Sequence, residues 1–143
     1  MPQLNSRKKY KRYSYYHIYN RGVNKNPIFT CQWNRDVFLK YLEQASQKYS
    51  VNIVKYVLTT NHFHFIAKQS KDSKGIAKMM QSLGSRYTVF FNYNYDRVGC
   101  LFQSRYRARL LDSDDAVKTV SIYLEHHTKN TDEIFSEDSS FEF

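Results

Sequence analysis

The chain has 143 residues, of which 41% are hydrophobic, and this length and composition suit one compact domain with a buried core. No apolar run reaches the length of a membrane span, and the first residues do not resemble a signal peptide, so we expect a cytoplasmic protein without membrane association. The isolated cysteines, Cys31 and Cys100, have neither disulfide nor metal spacing, which agrees with a reducing compartment.

Positive charge is distributed unevenly along the chain. The formal net charge is +9, from 22 Lys and Arg against 13 Asp and Glu. Five of the acids and none of the basic residues lie in residues 131–143, so residues 1–130 carry 22 basic and 8 acidic side chains, a net +14. With 13 Tyr and 10 Phe, such a surface suits nucleic acid, because cations bind phosphates and rings stack on unpaired bases. A solvated basic face with ordinary core aromatics is the alternative.

The density of charge predicts an N-terminal arm, and residue periodicity predicts seven elements that follow it in chain order. They are a mobile basic arm in residues 1–14, strand 15–20, helix 33–49, strands 51–58 and 62–68, helix 75–91, strand 101–111, and a last helix capped by Asp112 or Ser113. This order is that of an α+β, ferredoxin-like or RRM-like split βαβ fold: an antiparallel sheet with helices on one face, plus a C-terminal helix. Since this fold carries many functions, function has to be argued from the site.

Two histidines begin the third predicted strand. Alternate residues of a strand share a face, so His62 and His64 project together while the phenylalanines between and after them face the core. Such a pair binds metal in some proteins and forms local hydrogen bonds in others. His17, on the first strand, is interpreted as structural. On the last helix Tyr123 and His127 lie four residues apart, so imidazoles and a phenol converge if that helix covers the strand.

A ligand from the last helix would complete a three-ligand site with open positions, which is typical of catalytic metals. His127 is the first candidate for this ligand and His126 is the alternative. Imidazole ligands alone favour Zn, Mn, Co or Ni, whereas Mg would need phosphate oxygens from a substrate. A tyrosine beside such a metal can act as a nucleophile on phosphorus.

Basic side chains on the second helix, the last strand and the arm are candidates for phosphate contact. On a strand from 101 to 111, three arginines would lie on one side and repel each other unless an anion lay across them. The full set of predicted DNA contacts is Arg105, Arg107, Arg109, Arg86, Lys8, Lys9 and Arg12.

Five segments, taken in order, resemble the HUH tyrosine transposases of the simplest insertion sequences, and most closely their REP-associated (RAYT) relatives. These segments are Tyr16–Gly22, Asn61–His64, Gly84–Asn92, Leu101–Tyr106 and the helix residue Tyr123. The resemblance extends from about residue 15 to residue 129. It implies a metal-dependent enzyme that cleaves and rejoins single-stranded DNA, often near hairpins, through a 5′-phosphotyrosine intermediate.

The resemblance also implies roles for single residues. His62 and His64 would bind a divalent metal, Mg or Mn, and Tyr123 would attack the phosphate. His127 stands where the family often has Asn or Gln and is interpreted as the third ligand. Tyr87, in a matching motif, is the rival nucleophile, although packing is the more usual role for such a residue. The chain then divides into the arm, a catalytic domain at 15–130 and an acidic tail at 131–143.

Other functions fit parts of the same pattern. A non-catalytic nucleic-acid-binding module of ferredoxin-like fold, or an inactivated transposase, would use the basic and aromatic surface without a metal. A related nickase of replication or conjugation would usually bring further domains. Some relatives form homodimers that share active sites between subunits, while others act as monomers, so the sequence is compatible with a homodimer and with a monomer.

Overall fold

The structure, a computed structural model, describes residues 10–126. Its elements are β1 (Tyr15–Arg21), α1 (Gln32–Lys48), β2 (Asn52–Leu58), β3 (His62–Lys68), α2 (Gly75–Asn94), β4 (Arg107–Leu111) and α3 (Asp114–His126). The strands form one antiparallel sheet in the order β2-β3-β1-β4, which confirms the predicted α+β split βαβ fold. None of the helices in this range is long and apolar enough to cross a membrane. Lys8, Lys9, His127 and the acidic tail lie outside the described residues.

Helices α1 and α2 cover one face of the sheet, which we call the helix face. Ile18 of β1 and the two phenylalanines of β3 point to this face, where they pack with Phe38 of α1 and Tyr87 of α2. Alternation along the strands produces this arrangement, because every second residue faces the helices. Burying each of these large side chains contributes about 1.5–3 kcal/mol, so this cluster stabilises the fold substantially.

Helix α3 covers the opposite face, which we call the histidine face. Its Val120 and Leu124 pack against three strand residues, Tyr19, Ile66 and Leu111. Because Ile66 follows His62 and His64 at intervals of two in β3, those histidines lie on the face that α3 covers.

Polar contacts fix both ends of α3. At its start the Ser113 hydroxyl accepts a hydrogen bond from the Ala116 N–H at 3.0 Å, which confirms a cap at one of the two predicted residues. Near its other end Glu125 forms an ion pair with Lys55 of β2 at 3.1 Å. The helix therefore begins beside β4 and ends over β2.

The last strand is shorter than its alternation predicts. Residues 101–106 form a loop, and β4 begins only at Arg107. The side-chain amide of Asn20 donates to the carbonyl of Ser104 at 2.8 Å, which holds the loop against the end of β1. The prediction of three arginines in one strand row is therefore wrong: Arg105 lies in the loop, and the row contains two.

The folded domain begins before the predicted boundary at residue 15. Tyr10 is only 3% exposed, and its hydroxyl lies 2.9 Å from the Tyr106 hydroxyl. The next residue, Lys11, donates its backbone N–H to the Tyr16 hydroxyl at 2.7 Å. A single aromatic residue among charged neighbours does not reveal its burial, so the sequence does not indicate that Tyr10 joins the core. Arg12 is exposed, as predicted for an arm residue.

Candidate functional site

Three buried histidines form a chain across β1 and β3. His17 Nε2 lies 3.0 Å from His64 Nδ1, and His64 Nε2 lies 3.1 Å from His62 Nδ1. All three side chains are fully buried. The strand register brings them together, because Tyr19 pairs with His64 and so places His17 diagonally across from it. His17 is thus a neighbour of the predicted pair, which its isolated position in the sequence does not reveal.

The spacing of two ring nitrogens decides whether the predicted pair can bind one cation. Imidazole nitrogens bind Zn²⁺ at about 2.0–2.1 Å, and other divalent ions at similar distances. Two nitrogens 3.1 Å apart can both lie at that distance from one point, with an angle of about 95–100° at the ion. The separation of His62 Nδ1 and His64 Nε2 therefore allows both to bind one divalent metal, and it equally allows a hydrogen bond between the two rings when no metal is bound.

A third protein ligand is not supplied within residues 10–126. In that range no three His, Cys, Asp or Glu side chains are grouped so that they could hold a metal ion. His17 does not serve, because it approaches the other ring nitrogen of His64. His126, the alternative ligand, is exposed at the end of α3 and does not join the pair. The predicted ligand His127 lies outside the described residues and stays a prediction.

Burial keeps His17 and His64 neutral. It lowers the pKa of His17 to about 3, and the nearby Arg109 guanidinium contributes to the shift. Burial also lowers the pKa of His64 well below its usual value, with smaller effects from His17 and His62. Since metals bind the neutral imidazole, His64 is in the metal-binding form at pH 7.

Two arginines of β4 reach the histidine face. Arg109 is only 5% exposed, and its Nε donates to the Tyr19 hydroxyl at 3.2 Å. The Tyr19 ring in turn stacks on those of His17 and His64, with centroids 4.6 and 5.4 Å away. Arg107 is half-buried and pairs with Tyr19 in the ladder. These two cations therefore lie on the same face of the sheet as the histidines.

The two candidate nucleophiles lie on opposite faces of the sheet. Tyr123 is half-buried on α3 and packs against the cluster that includes Ile66 and Leu124 on the histidine face. Tyr87 is fully buried on the helix face, where its hydroxyl donates to the carbonyl of Ile28. Burial raises the pKa of the Tyr87 phenol far above its usual value. Of the two, Tyr123 is therefore the residue on the same face of the sheet as the histidines.

The other described basic residues predicted to contact DNA lie away from the histidines. Arg86 is exposed, and its guanidinium lies 4.1 Å from the ring centroid of Tyr41, between α2 and α1. Arg12 borders a surface cavity near the far end of β3, and Arg105 borders a second cavity on the helix face. Their contacts with DNA stay predictions.

Comparison with known proteins gives matches of two kinds. The sequence profile of the IS200-like transposases matches residues 10–127. Among curated proteins nothing matches. A solved REP-associated tyrosine transposase bound to a REP hairpin superposes with a TM-score of 0.63 at 12% identity, over 91% of this chain and 74% of that one. A candidate transposase from Deinococcus radiodurans R1 has a TM-score of 0.58 at 11% identity, over 86% and 97%. At these identities the structures show a shared fold.

Proposed function

Because this chain belongs to the IS200-like transposase family, we propose that it cleaves and rejoins single-stranded DNA through a covalent tyrosine intermediate. The observation that carries this proposal is the pair of nitrogens, His62 Nδ1 and His64 Nε2, 3.1 Å apart on the face that α3 covers. Tyr123 projects from that helix. The solved relative that is bound to a REP hairpin supports a hairpin as part of the substrate.

The metal would be held by His62 and His64, with His127 as the proposed third protein ligand. When bound, Mg²⁺ or Mn²⁺ supplies polarisation of the non-bridging oxygens of the scissile phosphate. His17 would position His64: if His64 Nδ1–H donates to His17 Nε2, the other nitrogen of His64 is left free of hydrogen and turned toward His62. The tautomers are assigned here from these roles.

In the proposed cleavage step the Tyr123 hydroxyl oxygen attacks the scissile phosphorus. A bond from this oxygen to phosphorus forms while the bond from phosphorus to the 3′ oxygen breaks. The phenol loses its proton to solvent, and the departing 3′ oxygen gains one and becomes a 3′-hydroxyl. The positive charge of Arg107 and Arg109 stabilises the charge that develops on the phosphate. Rejoining reverses the step with another 3′-hydroxyl, and one ester replaces another without an energy source.

A covalent-adduct assay tests this function. Labelled oligonucleotides with hairpins from the flanks of the gene are incubated with Mg²⁺ or Mn²⁺ and separated on a denaturing protein gel. We expect a protein–DNA band that EDTA, Tyr123→Phe and His64→Ala each remove. Tyr87→Phe is the matched control, because the same change on the helix face should leave the band in place.

Two other outcomes would identify the alternatives. A band that survives Tyr123→Phe would show that another residue is the nucleophile. DNA binding that gives no band with any metal, and that His62→Ala does not weaken, would favour a non-catalytic binding module. Mixing Tyr123→Phe with His64→Ala tests the homodimer, since a band from two inactive variants requires subunits that share active sites.

A further inference from the structure

A second site is suggested by a small cavity on the helix face, which we call the Gly84 pocket. Its volume is about 230 Å³, beside Gly84 of α2, and it is smaller than the separate cavity of about 420 Å³ that Arg12 borders at the other end of the sheet. The walls of the Gly84 pocket are aromatic and apolar, and polar groups stand at its rim. Its main lining residues are Phe63, Phe102, Tyr106, Met80, Asn20 and Arg105. Pockets for drug-sized ligands are about 300–1,000 Å³, so this one suits a group of one or two rings.

No contact among the described residues requires glycine at position 84. It lies in the interior of the 20-residue helix α2, where glycine is less favourable than every other residue except proline. A Cβ at Gly22 would collide with the carbonyl of Asn26, and a Cβ at Gly75 with the Ser70 hydroxyl. At Gly84 a Cβ would meet no atom within 4 Å among the residues described. The absence of a side chain there keeps space open that the chain itself does not fill.

The pocket lies at the same end of the sheet as the histidine pair. Phe63, in its wall, follows His62 in β3, and the two side chains point to opposite faces. Arg107 is on the histidine face, and two residues earlier Arg105 is exposed at the rim of the pocket. A nucleic-acid strand that passed around this end of the sheet would meet both cations in turn.

The lining of the pocket has the chemistry of a base-binding site. Rings of Phe102 and Tyr106 offer apolar contact to a flat heterocycle, and Arg105 can bind the adjoining phosphate without an ion pair to displace within residues 10–126. Both amide groups of Asn20 are used, because Nδ2 donates to Ser104 and Oδ1 accepts from the N–H of Arg21. Asn20 therefore forms part of the wall through these hydrogen bonds. The other polar side chains at the rim are the ones available to contact the edge of a base.

We propose that the Gly84 pocket binds one unstacked nucleobase of the single-stranded DNA, with its phosphate on Arg105. This proposal rests on the proposed function, because it requires that the protein bind single-stranded DNA. It adds a site on the opposite face of the sheet from the histidines that holds the strand in register. A base held there contributes affinity by contact with aromatic side chains, which is typical of single-strand binding.

Methyl NMR of methionine tests this directly, because the chain contains three Met: Met1, Met79 and Met80. Met80 lines the pocket, whereas Met79 is fully buried and serves as the internal control. The full chain, with ¹³C-methyl Met and EDTA to prevent cleavage, is titrated with a hairpin that carries a single-stranded tail of about 12 nucleotides. We expect the Met80 methyl signal to move upfield under the ring current of a base while the Met79 signal stays.

Two variants sharpen the test. Gly84→Leu fills the space, so it should abolish the Met80 shift and weaken binding by about 10-fold, as measured by fluorescence anisotropy. Val89→Leu is the matched control, since Val89 is an exposed position of the same helix, 69% exposed. Arg105→Gln should reduce the slope of log K against log salt by about 0.7, the value for one phosphate contact on a single strand. The position of the Met79 signal reports whether each variant is folded.

The outcomes separate this proposal from the proposed function. DNA binding without movement of the Met80 signal would overturn the Gly84 pocket as a base site while leaving the transposase function in place. An equal Met80 shift with fully paired duplex would also overturn it, since no base is then unstacked. Failure of every single-stranded probe to bind would overturn both proposals.

Discussion

The two faces of the sheet are built for different tasks. Among the described residues, 20 buried side chains form the cluster of the helix face, whereas 5 form that of the histidine face. The remaining area of the histidine face holds buried polar groups, which cost free energy unless they are paired. The comparison indicates that the helix face supplies the stability that permits imidazoles and Arg109 to be buried on the other side.

Truncating one side chain on each face should separate these tasks. Phe38 is fully buried among Phe29, Phe63 and Tyr87. The substitution Phe38→Ala should therefore lower the free energy of unfolding by about 3–5 kcal/mol. Leu124→Ala should cost about 2–3 kcal/mol, because the smaller cluster under α3 can collapse around the cavity. Urea unfolding followed by circular dichroism measures both values.

Hydrogen exchange shows where each change acts. Phe38→Ala should lower amide protection throughout the sheet and the helices, whereas Leu124→Ala should lower it in α3 and leave β1 and β3 protected. Equal loss of protection everywhere in both variants would mean that the two faces unfold as one unit, and the division of tasks would be wrong.

The elements of the helix face follow from sequence periodicity because local patterns determine them. Alternation in β1 and β3 and the 3.6-residue spacing in α1 and α2 predict those elements to within a few residues. The pairing of His62 and His64 on one face has the same origin, since it requires only that residues 62–68 form a strand.

Features that depend on contacts distant in sequence were not predictable. Arg105 lies outside β4 because Asn20, 84 positions before Ser104, holds the loop through a hydrogen bond. His17 joins the histidine chain through the register of β1 on β3, which no local pattern specifies. The burial of Tyr10 likewise depends on Tyr106, 96 residues away.

The cost of the buried histidines should appear as a pH dependence of stability. The pKa of His17 is about 3 in the folded protein, against about 6.5 when unfolded. As pH falls below 6.5 the unfolded chain takes up the proton first, so stability is complete above that pH and is lost on acidification. Between pH 7 and pH 5 the loss from His17 alone is about 2 kcal/mol, and His64, whose pKa is also lowered, adds to it.

Urea unfolding of the metal-free protein in EDTA at pH 7, 6 and 5 measures this loss. His17→Phe keeps a ring in the same place but cannot titrate, so its stability should fall less steeply with acidification than that of the unchanged protein. Identical slopes for the two proteins would show that His17 is accessible to protons in the folded state.

The smallest effect concerns the orientation of His64. In His17→Phe the ring that faces His64 Nδ1 has no nitrogen to accept its hydrogen, so the preference for the metal-binding tautomer is lost. We expect Mn²⁺ to bind about 10-fold more weakly, equivalent to about 1.4 kcal/mol, by titration calorimetry. His17→Gln, which keeps an acceptor, should recover part of the affinity. Tyr16→Phe, the neighbouring change on the helix face, should leave it unchanged. Equal Mn²⁺ affinity in all four proteins would mean that the histidine face holds His17 for packing alone, and the contrast between the faces would then rest on His62 and His64.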